Sequence, residues 1–313
     1  MPDKRNFDSL HILKAICAFL VIVHHSYLFG QHYTAPIRVT MVPCFFMISG
    51  FFLYRNCIRD EFAKIKQWCI KALIWLISLG IFYSITNCIF RDSQFPLKAQ
   101  LYNIFTGSSI CVVLWYLSAL WQGLIIIHLT TRLSQKAIIF YPVFYLLFRI
   151  ANEKWLHIPF HANTIASAFL DLVNATCFLS TGYLISMYRT KIKKSPSIFG
   201  AALFLAYTFI LLTGKHNAIA IYIISSSLFL LFLTWDIRKP YFLIYLGKYH
   251  SSNLYFFHCF FIALLGEIII NYNLKNIYAV IIFAATFMLS VLWNQISRLT
   301  CHLKSKYLRH AAS

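Results

Sequence analysis

The chain is short of charge, and above all of acid: 313 residues hold nine Asp and Glu, and charged residues make up 12% of the sequence. A soluble domain carries about 25%, so a water-facing globule is excluded. Glycine and proline are sparse, with ten and eight residues, and gather into no linker. No low-complexity tract and no clear internal repeat interrupts the chain. One membrane domain over 1–313 is therefore expected, with a short basic tail from about residue 298. CxxC spacing is missing, and the nine cysteines are an odd number lying mostly inside apolar stretches. They read as small core residues, not as a disulfide framework or a metal site. Cys259 follows His258, but neighbours on a helix point about 100° apart, so the two are not expected to act together.

What the sequence has is apolar length. Hydrophobic residues make up 60% and aromatics 18%. They fall in blocks near residues 10–30, 37–56, 70–90, 110–131, 137–151, 165–188, 198–213, 218–235, 250–272 and 277–297. Most approach the roughly twenty residues a helix needs to cross a bilayer. The first block is no cleaved signal: it contains Lys14 and ends in FGQHY instead of a small-residue site. The formal net charge of +19 is a topology signal. Setting Lys14 aside, twenty Lys and Arg fall on the side of the N-terminus and seven on the other. Positive-inside bias then places both termini in the cytoplasm, with some attraction to anionic membrane lipids and no nucleic-acid partner. The expected fold is an all-α polytopic membrane protein with about ten transmembrane helices. Loops are expected at 57–69 inside and at 91–109 and 152–164 outside. The inner one suits an interfacial amphipathic helix, with Arg59 and Lys66, or a solvated anchor. The outer ones, with His157 and His161, suit a neutral sugar or an ordinary cap.

Ionisable groups at membrane depth are costly, so they are the first functional candidates: Lys14, His24, His25, His128, Asp171, His258 and Glu267. In LHILKAICAFLVIVHHSYLFG, His25 lies eleven positions after Lys14. That is three turns plus about 20°, with a rise of about 16 Å, so both lie on one line of the helix while His24 points about 80° away. Lys14 near the helix end suits either snorkelling to the interface or a site. His25 is deeper, and a neutral imidazole there suits a general base. Asp171 and Asn174, at i and i+3, form a second polar stripe, and Asp171 at similar depth is a candidate to orient the His25 ring.

Three further segments stand out. VPCFFMISGFFLY sets Ser49 and Gly50 at mid-depth, where small residues let helices approach. CVVLWYLSALWQG offers Trp115 and Tyr116 as belt aromatics or a stacking face. GKYHSSNLYFFHCFF places Ser251, Tyr255 and His258 at i, i+4 and i+7, on one face.

Together these segments resemble the membrane-bound acyltransferase-3 family. ILKAICAFLVIVHHS is similar to its Arg/Lys-x10-His motif, with Lys14 and His25 in place. FFMISGFFL resembles its Phe-rich Ser-Gly motif (Phe45, Ser49, Gly50), and LWYLSAL its Leu-Trp-[Phe/Tyr]-Leu segment. LGKYHSSNLYFFH resembles the late Gly-x3-Ser-x3-Tyr-x2-His pattern (Gly247, Ser251, Tyr255, His258). The four run in the family's order over nearly the whole chain. Lys14 stands where many relatives have Arg, a point charge in place of a bidentate fork.

The resemblance implies transfer of an acyl group, usually acetyl from acetyl-CoA, to a hydroxyl of a cell-surface carbohydrate. O-antigen, common antigen, exopolysaccharide or capsule would be the acceptor, free or as a lipid-linked glycan, at a bacterial cytoplasmic (inner) membrane. On that reading acetyl-CoA is the co-substrate and no metal is needed. His25 is the base, Lys14 contacts the donor, and Ser49, Tyr255 or a protonated His258 stabilises the oxyanion. Two other classes stay open. A transporter or flippase of lipid-linked sugar explains the helices, but it does not need the Lys–His spacing, and inverted repeats are missing. A membrane scaffold without chemistry predicts that Lys14 and His25 are freely replaceable.

Overall fold

In lipid, every backbone N–H and C=O must be satisfied within the segment, which a helix does. The computed structural model describes residues 7–26, 31–58, 62–91, 97–107, 110–158, 164–192, 195–213, 218–235, 239–271 and 277–310, and contains no strand among them. Twelve α-helices follow in order: α1 (Asp8–His25), α2 (Gln31–Ile58), α3 (Phe62–Arg91), α4 (Leu97–Thr106), α5 (Trp115–Leu133), α6 (Phe140–Ala151), α7 (Ile165–Met187), α8 (Pro196–Thr213), α9 (Ala218–Thr234), α10 (Tyr241–Tyr249), α11 (Ser251–Asn271) and α12 (Tyr278–His310). By length and composition four of them can cross a membrane: Asp8–His25, Ala63–Ile89, Ile165–Met187 and Tyr278–Ser297. Shorter apolar helices cover Thr40–Tyr54, Pro196–Leu212, Ala218–Thr234 and Ser251–Gly266. The chain is a helical, multi-pass membrane protein.

Each apolar block of the sequence carries a helix, and α4 and α10 are additional. The outer loop expected over 91–109 contains α4, whose C-terminal carbonyls are met by α5. Ser118 Oγ donates to the Ile104 and Phe105 carbonyls at 3.0 and 2.6 Å, and Trp121 Nε1 donates to Ile104 O at 3.3 Å. Those otherwise unsatisfied helix-end groups make α4 a tertiary feature. Residues 62–69, expected as part of an inner loop, are the first turns of α3. Helices α10 and α11 are separated only by His250, at the start of the ninth block, and the break is satisfied by its neighbours. Ser251 Oγ donates to Gly247 O at 2.8 Å, His250 Nδ1 lies 2.8 Å from Ser290 Oγ, and Asn253 Nδ2 donates to Ser290 Oγ at 2.9 Å. Helix α12 runs on to His310, through residues expected to form a tail.

Packing is closest where side chains vanish. A Cβ on Gly50 of α2 would strike the Leu179 carbonyl of α7, and a Cβ on Gly182 of α7 would strike the Met47 carbonyl of α2. The two helices thus cross backbone to backbone at reciprocal glycines, as small residues permit in membranes. Gly247 of α10 meets the His11 carbonyl of α1 in the same way. Hydroxyls buried along these helices return to their own backbone: Thr176 Oγ1 donates to Leu172 O at 2.8 Å, and Thr286 Oγ1 to Ile282 O at 2.6 Å. At one end, the Arg189 guanidinium lies 4.9 Å above the Phe7 ring, and Phe7 stands edge-on to Phe51 at 5.4 Å, tying the start of α1 to α2 and the end of α7. Outward faces are apolar: Ile74, Ile81 and Ile85 on α3 and Met288 and Leu292 on α12 are exposed, as a lipid-facing surface would be.

Candidate functional site

The cross-over of α2 and α7 fixes Ser49 beside it. Ser49 Oγ donates to Phe45 O at 3.0 Å, one turn back, and Tyr116 of α5 shares a cavity with it. That cavity has a volume of about 360 Å³, in the size range of small-molecule sites. Lys14 of α1, Phe45 of α2, Trp68, Lys71 and Trp75 of α3, and Ser251, Ser252 and Phe256 of α11 also line it. All four sequence motifs therefore open onto one space: the first through Lys14, the second through Phe45 and Ser49, the third through Tyr116 and the fourth through Ser251. Lys14 is half-buried and Lys71 exposed.

Aromatic rings lead from this cavity to the histidines. Tyr116 stands 5.2 Å from Tyr255 between centroids, and Phe45 stands 5.8 Å from Tyr255. Tyr255 in turn lies 6.1 Å from His258. The His258 and His25 ring centroids lie 5.1 Å apart with the rings tilted by 34°, and the His24 ring stands 4.7 Å from that of His25. His258 is fully buried. Its Nδ1 lies 2.7 Å from Tyr255 O and 3.2 Å from Leu254 O. Carbonyls only accept, so in the neutral ring this assigns the proton to Nδ1 and the lone pair to Nε2. The sequence offered a protonated His258 as a donor; in its neutral form the ring accepts at Nε2.

Cys259 Sγ lies 3.4 Å from that Nε2. The two side chains are in contact although their Cα–Cβ directions diverge. The 100° between adjacent Cα–Cβ directions does not prevent contact, because the backbone tether on Nδ1 leaves Nε2 within reach of the next residue. Asp171 is buried on α7 at 2% exposure; the ring set against His25 is His258. His128 is buried on α5, and His157 is exposed. His161, Arg59 and the Glu267 side chain lie outside the described residues.

Two features escaped the sequence reading. Lys71 looked like one inner charge among twenty, yet it lines the cavity between Trp68 and Trp75. The signal was present: Trp68, Lys71 and Trp75 stand at i, i+3 and i+7, one face of a helix. His250 gave no such signal, because its partner Ser290 comes from α12.

A family model described as an acyltransferase domain, that of the acyltransferase-3 family, matches residues 7–294. The chain belongs to the acyltransferase-3 family. It is thus a membrane acyltransferase, and the cavity with its adjoining histidines is the natural place to look for its chemistry. No curated protein and no solved structure matches the chain.

Proposed function

We propose that this acyltransferase moves an acetyl group from acetyl-CoA to a hydroxyl of a cell-surface carbohydrate, as an O-acetyltransferase of a bacterial inner membrane. The carrying observation is that residues from four motifs, spread from Lys14 to Ser251, line one cavity, with the His25–His258 pair beyond its aromatic wall. On this reading the ten helices that carry the apolar blocks all span the bilayer, both termini are cytoplasmic, and Lys14 and Lys71 face the cytoplasm. The two cations meet the phosphates of the donor, and the indoles of Trp68 and Trp75 offer faces for its apolar and aromatic parts. The thioester end points inward past Tyr116.

An alcohol is a weak nucleophile at neutral pH, so its proton must leave as it attacks. His25 takes that proton while the acceptor oxygen bonds to the thioester carbon. The carbon–sulfur bond then breaks, and CoA departs as a thiol carrying the proton that His25 accepted. Charge building on the carbonyl oxygen needs a donor already in place. Tyr255, between cavity and histidines, fills that role, with Tyr116 beside it. His258, with its lone pair at Nε2, packs on the His25 ring and receives positive charge poorly unless His25 has released its own. Asp171 is assigned the role of orienting the His25 ring, as a carboxylate does for a catalytic histidine. The acceptor, a carbohydrate or lipid-linked glycan, enters from the opposite face. Acetyl transfer from labelled acetyl-CoA to glycan in isolated membranes tests the scheme. His25→Ala should abolish incorporation while the protein still inserts and melts normally, and unchanged incorporation would overturn it.

A further inference from the structure

Three rings close the inner end of the cavity. Phe45 of α2 and Tyr116 of α5 line it, and Tyr255 of α11 stands against both. Centroids are 5.2 Å apart for Tyr116 and Tyr255, 5.8 Å for Phe45 and Tyr255, and 6.2 Å for Phe45 and Tyr116. Each pair is within the range of direct aromatic contact, so the rings form a closed triangle, one from each of three helices. All three are buried, and two are backed from outside the triangle. Phe46 packs on Tyr116 at 4.7 Å, and Phe256 stands edge-on to Tyr255 at 5.4 Å. Rings held on several sides do not swing aside cheaply, because a close-packed interior feels a change of even one methylene. The histidine pair follows beyond Tyr255, through its 6.1 Å contact with His258.

We propose that Phe45, Tyr116 and Tyr255 set the length of the transferred acyl group, admitting acetyl and rejecting longer chains, with Phe45 the size-determining residue. This rests on the proposed function, in which the thioester end of the donor points inward past Tyr116. The bond changes are the same for every acyl group. The carbonyl carbon gains the acceptor oxygen and loses the CoA sulfur, and the acceptor's proton passes through His25 to the thiol. What differs is the room beyond the carbonyl carbon, which the rings limit. Phe45 has no hydroxyl to lend to the reaction, so its ring acts by volume. Phe52 supplies the contrast. It lines the same cavity, but seven residues further along α2, about 10 Å away, where it meets Phe7 at the start of α1.

The test is competition between acetyl-CoA and butyryl-CoA, each with its own isotope label, for transfer by the full chain in membranes. The ratio of the two products does not depend on how much of the protein is active. The parent should prefer acetyl by about 100-fold or more, from roughly 10-fold or more for each added methylene. Phe45→Ala should lower that preference by at least about 10-fold and Phe45→Leu by less, whereas Phe52→Ala should keep the parent ratio. The proposal is overturned if the parent uses both donors equally, if both Phe45 variants keep the parent ratio, or if Phe52→Ala lowers it as much as Phe45→Ala. Equal use of both donors would leave the proposed acyl transfer standing, whereas transfer from neither would overturn that function and this proposal with it.

Discussion

Gly50→Ala puts a methyl group where the Leu179 carbonyl already lies. Contact with backbone cannot be relieved by a rotamer change. The α2–α7 crossing must open, by at least about 1.5 Å to reach ordinary contact distance, and overpacking of this kind costs about 1–3 kcal/mol, sometimes more. Opening it also moves Ser49, one residue away, relative to Tyr116. A displacement of that size at a reacting centre can cost about 100-fold in rate. Gly182→Ala pushes on the same crossing from the other side, against Met47, so it should open the same gap. The double variant should then be destabilised by clearly less than the sum of the single ones, because the first methyl group makes room for the second. Thermal unfolding of the detergent-solubilised protein, with acetyl transfer measured in parallel, checks both statements. If Gly50→Ala melted with the parent and kept its activity, or if the two costs added fully, the backbone-to-backbone crossing would be wrong.

Other perturbations separate the parts of the site. Lys71→Ala should raise the KM for acetyl-CoA by roughly 10-fold, the equivalent of about 1.4 kcal/mol, with kcat little changed; a loss confined to kcat would refute a donor-binding role. Tyr255→Phe keeps the ring against Tyr116 and His258 but removes the hydroxyl, and should lower kcat by about 10²-fold if the hydroxyl serves the oxyanion; undiminished kcat would return that role to Ser49. Ser290→Ala leaves Asn253 and His250 without their shared hydroxyl, and should cost about 1–3 kcal/mol in unfolding while the KM for acetyl-CoA stays at its parent value.

Much of this could be read from residue spacing, and the limits are physical. Lys14 and His25 share a line because eleven residues are close to three turns, and the apolar blocks located ten helices, although α3 begins eight residues before its block and α12 runs thirteen beyond its own. Spacing also placed Tyr255 and His258 on one face. It could not place α4, whose end is capped by Ser118 and Trp121 of another helix, nor the break at His250, which is held by Ser290 from α12. Both depend on partners distant in sequence. Lys71 was hidden by numbers, one cation among many, until the cavity singled it out. The contact of Cys259 with His258 went unseen for another reason. Helical phase describes where side chains start, and a long ring tethered at one nitrogen ends elsewhere.

The most direct test of the central claim is the mass of surface glycans from cells carrying the parent gene, no gene, or the His25→Ala gene expressed at equal level. Acyl transfer to carbohydrate requires that one acetyl mass per modified unit be present with the parent and absent from both of the others. Glycans of identical mass in all three strains, or acetylation that persists with His25→Ala, would contradict it.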